Sequence, residues 1–122
     1  MNAPDRFELF QLGEGQKKVT WVLDTRVPNT AIFTFEKEDH TLANLLNERL
    51  HQSPKVYFAA YIIPHPLESR FEMRVTTDGS IDPRTAIIQA AQEAVRDLEI
   101  LKQNFTKEME VKKMAMAGGN KN

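Results

Sequence analysis

Three carboxylates and an imidazole fall within five residues at Glu36, Glu38, Asp39 and His40, the ingredients of general acid and base catalysis. The same residues have a plainer use. Acidic side chains at a helix N-terminus stabilise the positive end of its dipole by about 0.3 to 1 kcal/mol each. No nucleophile motif accompanies the cluster, so capping or contact with a partner outweighs catalysis, and no catalytic residue is expected. A metal centre would most readily use His40, His51 and His65, but none of them shows H-x-x-x-H or H-E-x-x-H spacing, so no metal ligand is expected. Gly13-Glu14-Gly15 lacks the third glycine and the following lysine of a phosphate cradle, and Asp78-Gly79 is turn chemistry without the ligand ladder of a calcium loop.

Sixteen basic and seventeen acidic residues leave a net charge of -1, so no global field draws the chain to nucleic acid. Lys17 and Lys18 near one end and Lys112, Lys113 and Lys121 near the other are not interleaved with stacking aromatics. Direct nucleic-acid binding by the chain alone is therefore not expected. The absence of cysteine excludes disulfides, thiolate zinc sites and cysteine nucleophiles. No apolar run approaches the ~20 residues of a membrane span, and MNAPDRFELF lacks the pattern of a secretory signal, so the expectation is a soluble protein that is not secreted.

The elements around the charged cluster follow from periodicity. Val19, Trp21 and Leu23 alternate with Thr20, Val22 and Asp24, predicting a first strand, and Ala31 to Glu36 predicts a second that pairs with it as a hairpin. Leu42, Leu45, Leu46 and Leu50 recur at helical spacing, with Asp39 or Thr41 as the capping oxygen and Pro54 barring continuation much beyond His51. Val56 to Ile63 and Phe71 to Thr77 predict strands three and four, joined through Pro64, His65 and Pro66. Asp82 and Pro83 then open a final helix.

In that helix Ile87, Ala91, Ala94, Leu98, Leu101 and Phe105 step by 4, 3, 4, 3 and 4, a heptad seam that Met109 loosely extends. A helix from Pro83 to about Met114 would be about 48 Å long, beyond the diameter of a small domain, so its far half is expected to meet a partner helix. The order strand, strand, helix, strand, strand, helix predicts an α+β two-layer sandwich with a four-stranded antiparallel sheet. One domain is expected over residues 1–117, with a docking segment at 1–17 that holds Phe7, Leu9, Phe10 and Leu12, and a mobile tail at 118–122.

Several of these residues together resemble the small alpha-like subunits of eukaryotic RNA polymerase II, a family similar to archaeal subunit L and, more distantly, to the N-terminal dimerisation domain of bacterial alpha. The resemblance rests on MNAPDRFELF, FEKEDHTLANLL at 35–46, KVYFAAYIIPHPL at 55–67, FEMRVTT at 71–77 and DPRTAI at 82–87. It implies a nuclear subunit without cofactors or chemistry of its own. Such a subunit pairs with the larger alpha-like subunit to form the platform for the catalytic subunits in mRNA transcription. Carried over, Leu42, Leu45 and Leu46 on the first helix and Leu98, Leu101 and Phe105 on the last would meet the partner. Glu38, Asp39 and His40 would hold the turn and reach toward a neighbouring subunit. Ala43 stands where many relatives have glycine, and Pro64 where a polar residue is more usual. Two alternatives stand beside this reading: the equivalent subunit of another RNA polymerase, and a small enzyme similar in element order to the pterin carbinolamine dehydratases, whose clustered histidines this chain matches only at His65.

Overall fold

The computed structural model describes residues 6–119, so the first five residues of the opening decapeptide, and Lys121 with the rest of the tail from 120 on, lie outside the described residues. A short 3-10 helix at Arg6–Leu9 precedes strand β1 (Val19–Leu23) and strand β2 (Thr30–Glu36). Helix α1 (His40–Gln52), strands β3 (Val56–Ile62) and β4 (Arg70–Thr77), and helix α2 (Pro83–Gly119) follow. The four strands form one antiparallel sheet in the order β1-β2-β4-β3, which is the α+β arrangement that periodicity predicts.

Alternation decides what the sheet buries. Ala31, Phe33 and Phe35 of β2 stand opposite Val75, Met73 and Phe71 of β4, and all six are buried. The Phe35 and Phe71 rings stack with centroids 4.6 Å apart, a cross-strand pair at the centre of the sheet. Ala43, Leu46 and Leu50 of α1 and Ala86, Ile87 and Ala90 from the first turns of α2 complete this core. Helix α1 packs against β3 and β4. The hairpin from β3 to β4 closes around Pro64 in antiparallel register, with Ile62 opposite Glu72, so proline at that position leaves the pairing intact.

The ends of the helices follow from local chemistry. Asp39 is the N-cap of α1, in extended conformation, and its carboxylate accepts the Thr41 amide, which decides between the two capping oxygens open in the sequence. Asp82 accepts the Thr85 amide and so caps α2 at Pro83. Helix α2 runs to Gly119, past the expected stop near Met114 and through Gly118 and Gly119 of the segment expected to be a mobile tail; it is about 55 Å long. No proline or other breaker intervenes between Pro83 and the glycines. The described chain divides into two compact units between Ala91 and Gln92. The first holds the sheet, α1 and the opening of α2; the second is helical.

Candidate partner-binding surface

The charged turn is built from the end of β2 outward. Lys37 adopts a left-handed backbone conformation, φ +60°, which swings the chain out of the strand, and its amide donates to the Ser69 carbonyl at 2.6 Å. Lys18, arriving from the loop before β1, pairs with Glu38 at 2.9 Å and donates to the Lys37 carbonyl at 3.4 Å. Asp39 closes the turn by capping α1. Hydrogen bonds from the Thr41 amide and hydroxyl, together with the adjoining His40, hold its carboxyl below the usual carboxylate range. His40, at the first position of α1, lies 2.9 Å through Nδ1 from the Tyr61 hydroxyl, and its ring meets the Tyr61 ring edge-on. Tyr61 in turn packs edge-on against Phe71 in the core. The imidazole is thus tied to the sheet.

Glu38, Asp39 and His40 therefore each have a structural occupation. The other histidines are equally engaged: His51 Nε2 lies 2.7 Å from the Ala59 carbonyl, and His65 Nδ1 accepts the Leu67 amide at 3.2 Å. Among the described residues no group of three His, Cys, Asp or Glu is placed to hold a metal ion. The open concavity beside the turn is bounded by Leu9, Phe10, Asp39, Thr41 and Leu67. The N-terminal segment is attached there by a hydrogen bond from the Ser69 hydroxyl to the Leu9 carbonyl, while Phe7, Leu9 and Phe10 keep their side chains in solvent.

The apolar residues expected to meet a partner separate by burial. On α1, Leu46 is only 4% exposed and sits in the core cluster, Leu42 is half-buried against it, and Leu45 is 37% exposed. Leu46 is thus a correction to the expected partner-facing set. It lies one turn from both Ala43 and Leu50, the two residues of α1 buried most deeply, so it shares their inward face. On α2, by contrast, Leu98, Leu101 and Phe105 are 55, 63 and 66% exposed, and Met109 continues the seam in solvent. The apolar stripe of this amphipathic helix is thus open to water over three turns.

Sequence reasoning overlooked two features of this surface. Tyr61 gave no signal, because only the fold sets it opposite His40 across 21 residues of chain. Strand β1 did give one, its alternation, but alternation predicts a strand without telling that every residue of Val19–Leu23 is exposed.

A family described as the RNA polymerase Rpb3/Rpb11 dimerisation domain matches residues 30–104. Over 118 residues the chain is 45% identical to DNA-directed RNA polymerase II subunit RPB11 of Schizosaccharomyces pombe, covering 97% of this chain and 95% of that protein. It is 41% identical over 113 residues to the corresponding subunit of Dictyostelium discoideum, covering 93% and 94%. The crystal structure of RNA polymerase subunit L from Thermoplasma acidophilum shares the fold, with a TM-score of 0.62 at 24% identity over 77% of this chain and 92% of that one.

Proposed function

The chain belongs to the RNA polymerase Rpb3/Rpb11 dimerisation-domain family, and from that membership we propose that it is a non-catalytic assembly subunit of DNA-directed RNA polymerase II. It heterodimerises within the polymerase, and nucleotidyl transfer belongs to other subunits. Its partner is the larger alpha-like subunit. The pair forms the platform on which the catalytic subunits assemble, and the protein works in the nucleus. Leu45 on α1, with Leu42 at its margin, and Leu98, Leu101 and Phe105 on α2 carry the pairing. Glu38, Asp39 and His40 hold the turn that orients α1.

The observation that carries this reading is the open seam of α2. Burying a leucine or phenylalanine side chain fully is worth roughly 1.5 to 3 kcal/mol. Three such residues left in water at heptad spacing therefore represent several kcal/mol that only association can recover. The dehydratase alternative has no such support, since His65 is a single histidine that closes its own turn. The named relatives at 41 and 45% identity favour polymerase II over its sister enzymes.

Co-expression with the larger alpha-like subunit tests the proposal: a soluble one-to-one complex is expected by sedimentation, and affinity purification should return the polymerase II subunits. A monodisperse monomer that leaves that subunit unbound would overturn it.

A further inference from the structure

We propose that His51 guards the open edge of the sheet: by holding the Ala59 carbonyl it keeps β3 from adding a strand of a second copy of this chain. Strand β3 ends the order β1-β2-β4-β3, so one side of it has no neighbouring strand. The ladder fixes which of its backbone groups face that side. The Thr77 amide donates to the Asn29 carbonyl, on the β2 side of β4, and the Asp78 amide donates to the Lys55 carbonyl, on the β3 side. Successive residues of an antiparallel strand direct their amide and carbonyl groups to alternate sides, so Thr76, Arg74 and Glu72 bond toward β3, where Phe58, Ala60 and Ile62 stand opposite them. Ala59 and Tyr61, lying between these, turn their amides and carbonyls to the open edge. One of those groups is taken. His51 Nε2 lies 2.7 Å from the Ala59 carbonyl, and because a carbonyl only accepts, Nε2 carries the proton and donates it.

The composition of β3 shows why its edge needs a guard. Val56 to Ile63 reads VYFAAYII, with no charge, glycine or proline, which is the composition of segments that stack into intermolecular sheets. Tyr57, Phe58 and Ile62 are 74, 48 and 60% exposed, so a strand added here would bury apolar side chains as well as pair backbone groups. Every copy of the chain carries the same edge, and two such edges are self-complementary about a two-fold axis, which makes a second copy the natural occupant. Other features resist the same addition. Pro54 and Lys55 precede the segment and Pro64 follows it. An extra residue between Val56 and Phe58 shifts the register and disturbs the start of the strand. These act near the ends of β3, whereas His51 acts at its middle. The short exit from α1 puts it there: Ser53 is the C-cap, Pro54 follows, and β3 begins at Val56, so the last turn of α1 lies beside the strand. This role goes beyond pairing with the larger alpha-like subunit and does not depend on it.

Sedimentation of the full chain over a range of concentrations, with hydrogen exchange of the backbone amides, supplies the test. His51→Ala is expected to self-associate at a concentration about tenfold lower than wild type, because a two-fold contact gains a hydrogen bond from each freed carbonyl. The amides of Ala59 and Tyr61 are expected to become protected in that oligomer. His51→Gln, whose side-chain nitrogen can donate in place of Nε2, is expected to behave as wild type. Adding Tyr57→Lys to His51→Ala should restore the wild-type concentration dependence, since a charge at a strand edge opposes pairing. If circular dichroism shows that His51→Ala disturbs folding, His51→Met, which keeps the bulk and cannot donate, serves in its place. Association through the α2 seam is common to all of these chains and leaves the Ala59 and Tyr61 amides exchanging, so it does not imitate the effect. Equal self-association of His51→Ala and wild type would overturn the role of His51, as would an oligomer whose edge amides still exchange. So would His51→Gln associating as readily as His51→Ala, or no rescue by Tyr57→Lys.

Discussion

Replacing Leu101 by aspartate separates the pairing role of α2 from its folding role. Leu101 is 63% exposed in the chain by itself, so the part of its side chain that a partner can still bury is worth roughly 1 to 2 kcal/mol. A carboxylate forced into that contact without a counter-charge adds about 3 kcal/mol or more, because its hydration is lost. The sum, about 4 kcal/mol, corresponds to nearly a thousandfold weaker association. Folding of the chain should barely respond, since an exposed helical leucine exchanged for aspartate costs less than about 1 kcal/mol, mostly through helix propensity. Affinity for the larger alpha-like subunit, measured by calorimetry beside thermal unfolding of the variant, gives both quantities. Pairing that survives within threefold of wild type, with the helix intact, would refute the assignment of this seam to the partner.

On α1, Leu46→Ala should lower stability by about 2 to 5 kcal/mol through the cavity it leaves, while Leu45→Ala should shift it by less than about 0.5 kcal/mol and weaken pairing instead; chemical denaturation beside a binding assay distinguishes them. Asp39→Ala removes the cap of α1 and should cost about 1 kcal/mol, whereas Asp39→Asn, still a good cap, should cost a few tenths. Hydrogen bonds depress the carboxyl pKa values of Asp24, Asp39, Asp78 and Asp82 in the folded chain, so the unfolded chain takes up protons first as pH falls. The stability they contribute is present above the unfolded carboxyl pKa of about 3.9 and is lost as pH drops through the folded values, so melting temperatures should decline from about pH 5 to pH 3. Gly79→Ala should destabilise the fold by more than about 1 kcal/mol in urea, because φ is +93° there and the new Cβ would meet Asn29 Nδ2 at 3.0 Å.

Element types were legible wherever one period dominated. Phe71, Met73, Val75 and Thr77 alternate without interruption, and all four are buried. The α2 seam was equally plain, because no glycine or proline interrupts it before Gly118. The capping of α1 was legible only as a choice between Asp39 and Thr41, since either oxygen lies within reach in sequence and only the backbone path through Lys37 selects one. Leu46 was misassigned to the partner for a related reason. A leucine-rich helix shows that an apolar face exists, but the division of that face between the chain's own core and a second protein depends on which way the helix is turned.

The sequence alone dictates the order of strands and helices, the overlong second helix, and the lack of nucleophile, metal-ligand and phosphate-cradle patterns, because these depend on local periodicity and on spacings a few residues long. Tertiary structure decides what sequence-distant residues do to one another. It sets His40 against Tyr61, closes the Lys18–Glu38 pair, commits Leu46 to the interior and leaves Val19, Trp21 and Leu23 in water beside a buried β2. The physical reason is that burial belongs to a surface rather than to a residue. The alternation of β1 and that of β2 look alike as text, and only the position of β1 at the sheet edge leaves its apolar face in water.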